Sequence, residues 1–144
     1  SKTHIAGLVL FNRTYSPDID LKKMEIVGTN VFSTPKDLTI SLRWIGIMAN
    51  RVKCDLSAST GIHDGSAVIK QLLAGANSVQ MVSALYEKGP EYLKEVLKEL
   101  SDWMDEKSYT KIDDFRGLLS QEKFVNPSLY ERVQFMKYFS DRDN

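Results

Sequence analysis

Two polar loops that follow apolar runs contain the residue types that suit phosphate binding. The first, residues 59–65, reads Ser-Thr-Gly-Ile-His-Asp-Gly and leads into a helical pattern. Gly61 allows close backbone approach to a ligand, and the N-terminus of the following helix favours an anion. The second is Val82-Ser83, whose N–H groups and hydroxyl could contact the same anion. We expect both loops at the carboxyl ends of parallel strands, where α/β proteins bind ligands.

Each loop also has an ordinary structural interpretation. A glycine before a helix is more often a tight turn than a phosphate cradle, and a lone serine more often caps a helix. His63 and Asp64 invite a catalytic interpretation because histidine titrates near neutral pH. We expect instead that Asp64 caps the helix and that His63 faces solvent.

Three strand–helix pairs are predicted to position these loops. Residues 5–11, 52–58 and 78–85 read as strands, and the continuous apolar run of residues 5–11 is typical of a parallel strand covered on both faces. Helices are predicted over about 33–50, from the end of the first loop to a C-cap region at Gly75, and over about 89–107. Residues 14–32 are predicted as an excursion with a small hairpin made of segments 19–26 and 31–32.

This order predicts an α/β fold with right-handed crossovers. A closed (β/α)8 barrel needs more than about 200 residues, whereas the chain has 144, so we predict a partial barrel or an open sheet. We expect one domain over residues 1–144, with βα units in 1–107 and a helical extension in 108–144 that includes an amphipathic segment, 128–139. Unpaired strand edges template further pairing, so we predict a homo-oligomer or a missing N-terminal half.

Composition narrows the possible partners. Nineteen basic and nineteen acidic residues cancel and form no basic block, so we expect no nucleic-acid partner. No apolar run reaches the ~18 residues of a membrane span, and we expect no membrane contact. Cys54 is the single cysteine, which excludes an internal disulfide and a cysteine-rich metal site. We expect a cytoplasmic protein that binds no metal.

Motifs in matching order resemble the C-terminal part of dihydroorotate dehydrogenases. They are residues 59–68, 72–76 and 79–85 with Gly89-Pro90, followed by the segment 112–117. The resemblance covers the chain from Gly7 to about Gln121. It implies the C-terminal portion of a TIM barrel that uses FMN to oxidise dihydroorotate to orotate in pyrimidine biosynthesis.

The resemblance also implies roles for particular residues. The backbone at Gly61 and Ile62, and at Val82 and Ser83, would hold the FMN phosphate. Asn12, which follows the first strand, would hydrogen-bond the dihydroorotate-like substrate; its alternative is a turn residue. The catalytic residues are expected upstream of Ser1 and are unknown here, so we expect the chain alone to be inactive.

The sequence departs from the family pattern in three loops. Thr60-Gly61 stands where the family has two glycines, and Val82-Ser83 stands where it has glycine-threonine. Phe32-Ser33-Thr34 replaces a glycine-rich turn that contacts flavin.

Two other functions stay open at this point. The same loops could bind a sugar phosphate in an isomerase or aldolase-like barrel. Alternatively, the scaffold could be a non-enzymatic module that associates through its C-terminal aromatic segment. Flavin colour in the full-length protein would separate the first of these from the FMN enzyme.

Overall fold

A computed structural model describes residues 4–12, 17–28, 31–125, 127 and 130. In chain order its strands and helices are β1 (Gly7–Leu10), β2 (Pro17–Asp20), β3 (Glu25–Gly28), α1 (Leu38–Met48), β4 (Asp55–Ser59), α2 (Gly65–Ala74), β5 (Ser78–Gln80), α3 (Ser83–Lys88) and α4 (Tyr92–Glu106). Short 3₁₀ turns lie at Pro35–Asp37 and Ile112–Asp114.

A parallel sheet forms the centre of the structure. Its strand order is β1-β4-β5, with Gly7 opposite Asp55 and Ser57 opposite Ser78. Because parallel neighbours need a crossover, α1 connects β1 to β4, and α2 connects β4 to β5. The predicted α/β class with helices between parallel strands is therefore confirmed.

The expectation that the strand in residues 5–11 is covered on both faces is not met within the described part of the chain. Leu56 and Ala58 of β4 are buried against the helices, whereas β1 alternates and leaves Val9 48% exposed. Successive side chains of a strand point to opposite faces, so α1 and α2 cover one face only. In a closed barrel the other face points inward.

The structure contains the predicted helices, and capping residues define the start of α1 and the end of α2. Thr34 precedes α1, and its backbone N–H donates to Asp37 Oδ2 at 2.7 Å, which satisfies a free group at the helix start. Gly75 ends α2 with φ 117°, a conformation that costs glycine little. The apolar face of α4 packs inward at Val96 and Leu100, as its spacing predicts.

The third strand is shorter than predicted. β5 ends at Gln80, and Ser83 begins helix α3 instead of ending a strand. A short apolar run fits a buried strand and a helix turn equally well, so residues 78–85 were ambiguous in sequence. The loop around Val82 nevertheless still follows the carboxyl end of β5.

The small hairpin is present, but its turn lies elsewhere. β2 and β3 pair antiparallel, with Ile19 opposite Ile26, so the predicted segment 19–26 contains both inner halves of the hairpin and its turn. Met24 takes the left-handed conformation (φ 52°), and Asp20 Oδ1 accepts the Lys22 N–H at 2.9 Å. The sequence signals of glycine and proline were absent from this turn.

Residues 108–125 pack onto the helical layer. Phe115 is completely buried among Ile69, Leu72 and Leu100, and the Gly117 N–H donates to the Leu72 carbonyl at 2.9 Å. The predicted amphipathic segment 128–139 lies outside the described residues except for Tyr130. Burial raises the pKa of the Tyr130 phenol, whose hydroxyl donates to the Leu119 carbonyl.

Candidate functional site

A cavity lies at the carboxyl ends of the three parallel strands. Its volume is about 200 Å³. The lining includes all five residues singled out from the sequence: Asn12 after β1, Gly61 and Ile62 after β4, and Val82 and Ser83 after β5. Parallel strands bring their carboxyl ends to one edge of the sheet, so residues up to 71 positions apart meet there.

The loop after β4 has a tightly constrained backbone. Thr60 and Gly61 both have φ 78°, and the Thr60 hydroxyl donates to the Phe11 carbonyl at 2.9 Å. A Cβ on Gly61 would lie 2.1 Å from the Leu38 nitrogen, too close for any real contact. The absence of a side chain at Gly61 therefore allows the start of α1 to pack closely against this loop. Gly61 has this structural role and also lines the cavity.

The first turn of α2 is already occupied by carboxylates of the chain itself. The Asp64 side chain accepts the Ala67 N–H at 2.7 Å, so its predicted capping role is confirmed. Glu99 of α4 accepts the Gly65 N–H at 2.8 Å. These two acids compensate the positive end of the helix, so a bound anion must rely on other donors than the Ala67 and Gly65 amides.

A polar network that the sequence did not predict joins three loops at the cavity. The Ser33 N–H donates to Ser83 Oγ at 2.9 Å, and the Ser33 hydroxyl donates to the same oxygen at 3.0 Å. Ser33 Oγ also lies 3.2 Å from His63 Nε2. His63 is half-buried and hydrogen-bonded, which corrects the expectation that it faces solvent. Ser33 lines the cavity, and its only sequence signal was its position where the family has a glycine-rich turn.

The electrostatics of the cavity come from dipoles and hydrogen-bonding groups. The described residues that line it carry no formal charge. Lys88 of α3 is outside this lining. Its Nζ lies 3.8 Å from the centre of the Tyr92 ring, and hydrogen bonding with Tyr92 raises the pKa of this lysine. Tyr92 in turn donates its hydroxyl to the His63 carbonyl at 3.1 Å, which connects α4 to the loop.

The remaining candidates lie away from the cavity. Cys54, a free thiol, immediately precedes β4 and so lies at the opposite end of the strand from the cavity. Within the described ranges, no group of three or more His, Cys, Asp or Glu side chains could hold a metal ion. None of the described helices combines the length and the apolar character needed to cross a bilayer.

Comparison with known proteins gives the family. The family model described as dihydroorotate dehydrogenase matches residues 1–104. The chain belongs to the dihydroorotate dehydrogenase family. The match includes all the strands that the structure describes and nearly all of α4. The similarity to the family is therefore not limited to the cavity loops.

The curated relatives share a short stretch with this family member. A protein of Streptococcus equi subsp. equi, provisionally named dihydroorotate dehydrogenase A (fumarate), is 44% identical over 59 residues, which are 41% of this chain and 19% of the relative. A protein of Streptococcus agalactiae with the same name is 38% identical over 60 residues, or 42% of this chain and 19% of the relative. The matched part thus spans about a fifth of the length of these relatives.

Solved structures show the fold. A crystal structure of DHODH from Eimeria tenella in complex with ferulenol superposes with a TM-score of 0.64 and 23% identity, covering 78% of this chain and 30% of that chain. The ligand-free form of the Eimeria tenella protein gives a TM-score of 0.55 and 24% identity over 60% of this chain and 24% of that one. This member of the dihydroorotate dehydrogenase family therefore has part of a TIM-barrel fold.

Proposed function

We propose that this chain is the C-terminal portion of an FMN-dependent dihydroorotate dehydrogenase-like enzyme and that it binds the phosphate end of the flavin. One observation carries the proposal: residues from three separate loops, Asn12, Gly61 with Ile62, and Val82 with Ser83, line one cavity at the carboxyl edge of a parallel sheet. Phosphates bind at this edge in the last βα loops of TIM barrels.

The size of the cavity agrees with a phosphate group. About 200 Å³ lies below the roughly 300–1,000 Å³ of pockets that enclose a whole drug-sized ligand. The space suits a phosphate with the start of its ribityl chain, whereas the flavin ring needs walls from elsewhere. FMN, when bound, would supply the acceptor for the two electrons that leave dihydroorotate. In this arrangement the chain holds the cofactor and presents Asn12 to the substrate.

The chemistry of the lining also agrees with a phosphate. Backbone amides at Gly61, Ile62, Val82 and Ser83 survive the departures from the family pattern, because a backbone N–H does not depend on the side chain. The uncharged lining means that the charge of the phosphate would be balanced by these donors, with any cationic partner provided by the rest of the enzyme.

The open edges of the sheet support a larger assembly. β1 and β5 are the edge strands of the described sheet, and exposed apolar side chains occur on β1 (Val9, 48%), α1 (Ile40, 62%) and α4 (Leu97, 55%). We propose that an N-terminal half or a second copy pairs with these edges, and that the N-terminal half supplies the catalytic base. We also propose that residues 1–144 form one partial-barrel domain with a helical extension from residue 108. We propose a cytoplasmic enzyme, since the free thiol of Cys54 suits a reducing compartment.

Reduction of bound flavin tests the proposed reaction. The full-length polypeptide, loaded with FMN and kept free of oxygen, is mixed with dihydroorotate while the flavin absorbance is followed. The proposal predicts that the flavin bleaches and that orotate forms in equal amount. The Asn12→Ala variant, compared at saturating FMN, should need more dihydroorotate for the same rate.

Two outcomes would contradict the proposed function, in whole or in part. If the wild-type protein holds FMN but dihydroorotate never bleaches it, the flavin site stands and the substrate assignment fails. If the protein holds no FMN and a sugar phosphate binds instead, the isomerase or aldolase-like function replaces the one proposed here.

A further inference from the structure

The hydroxyl of Ser83 has an unusual set of partners at the wall of the cavity. Its oxygen receives the Ser33 N–H at 2.9 Å and the Ser33 hydroxyl at 3.0 Å. A serine hydroxyl has two acceptor positions and one hydrogen to donate. Both acceptor positions are therefore engaged by Ser33, and the capacity that Ser83 has left is its O–H donor.

His63 determines whether this arrangement holds. When Nε2 carries a proton, it donates to Ser33 Oγ across 3.2 Å, and the Ser33 hydrogen is directed to Ser83. When the proton is on Nδ1 alone, Nε2 becomes an acceptor, and the Ser33 hydrogen turns towards the histidine. The donor–acceptor direction of the hydrogen bonds from His63 through Ser33 to Ser83 therefore depends on whether Nε2 carries a proton.

We propose that Ser33 and His63 are positioning residues that keep the Ser83 hydroxyl as a donor to a phosphate-ester oxygen. A phosphate-ester dianion only accepts hydrogen bonds, so a Ser83 hydroxyl that is held as a donor favours binding of this group over an uncharged ligand group. The inference rests on the proposed flavin-phosphate site. To the backbone donors of that site it adds the side chains of Ser33 and His63. It also gives Ser33 a role in the loop where the family has glycines.

Comparison of FMN with riboflavin isolates the phosphate contact. The two flavins differ only by the phosphate, so the ratio of their dissociation constants reports on groups that touch it. In the full-length polypeptide, flavin fluorescence titrations measure both constants for the wild type, Ser33→Ala and His63→Leu. We expect FMN affinity to fall by about tenfold in each variant, the size of one weakened charge-assisted hydrogen bond, with riboflavin affinity unchanged.

Conservative variants and a control complete the design. Ser33→Thr keeps the hydroxyl and His63→Gln keeps an N–H donor, so both should retain most of the FMN preference. Ser66→Ala removes an exposed hydroxyl on α2, outside the residues that line the cavity, and should change neither constant. Recovery in the conservative variants would separate positioning from loss of packing.

The results distinguish this inference from the function on which it rests. Equal losses for FMN and riboflavin in Ser33→Ala and His63→Leu, or no loss at all, would overturn the positioning role and leave the flavin site intact. Wild-type protein that binds neither flavin would overturn both the proposed function and the inference.

Discussion

Replacing Gly61 by alanine should destabilise the fold more than its small size suggests. Gly61 has φ 78°, where a residue with a Cβ costs about 1–2 kcal/mol. The added Cβ would also lie 2.1 Å from the Leu38 nitrogen and 2.6 Å from the Asp37 carbonyl carbon, and backbone atoms can move aside only with α1. Overpacking of this kind costs about 1–3 kcal/mol, so the expected total is about 2–5 kcal/mol.

Gly117→Ala is the matched control for this variant. Gly117 has φ 71°, but its Cβ would meet only the Gly75 Cα, at an ordinary 3.6 Å. Urea unfolding of both variants separates the backbone cost from the collision with α1, because only Gly61→Ala has both. The predicted difference between them is about 1–3 kcal/mol. Equal losses in the two variants would refute the close contact between Leu38 and the loop.

Three further substitutions test the surroundings of the site. Asp64→Ala should lower the free energy of unfolding by about 1 kcal/mol because the Ala67 N–H loses its cap, and Asp64→Ser should restore most of it; a neutral Asp64→Ala in urea unfolding would contradict this. Phe115→Ala should cost about 3–5 kcal/mol, since the ring is completely buried, and a loss below 1 kcal/mol would mean that residues 108–125 do not pack as described. Desolvation alone would raise the pKa of Asp114, but hydrogen bonds from Thr110 overcome it and hold that pKa below its ordinary value. Asp114 therefore stabilises the fold above its ordinary pKa, and this contribution is lost as the pH falls through the lowered value. Urea midpoints measured towards acid pH should fall less steeply for Asp114→Asn than for the wild type, and parallel curves would contradict the assignment.

The helices were predictable because their signals are local. Asp64 and Gly75 delimit α2, and the apolar spacing of α4 identifies its buried face at Val96 and Leu100. The end of β5 was not predictable, since Ser83 and its neighbours form an apolar run with no residue that excludes a helix. The hairpin turn was misplaced because Met24 occupies a left-handed position that glycine or asparagine usually marks.

The cavity was predictable only in part for a similar reason. Asn12, Gly61 and Ser83 could be selected because parallel strands bring their carboxyl ends to one edge. The hydrogen bonds of Ser33 with His63 and Ser83 join positions 30 and 50 residues apart, and no sequence spacing encodes them. The hydrogen bond from the Gly65 N–H at the start of α2 to Glu99 was equally unpredictable, because Glu99 belongs to α4.

Retention of FMN through gel filtration tests directly whether this cavity binds the cofactor phosphate. The purified full-length polypeptide is incubated with FMN, passed through a gel-filtration column and scanned for flavin bands near ~370 and ~450 nm. We predict that FMN elutes with the folded protein in a fixed ratio and that the Gly61→Ala variant retains less. A folded wild-type protein that elutes without flavin would contradict the assignment of this cavity to the cofactor phosphate.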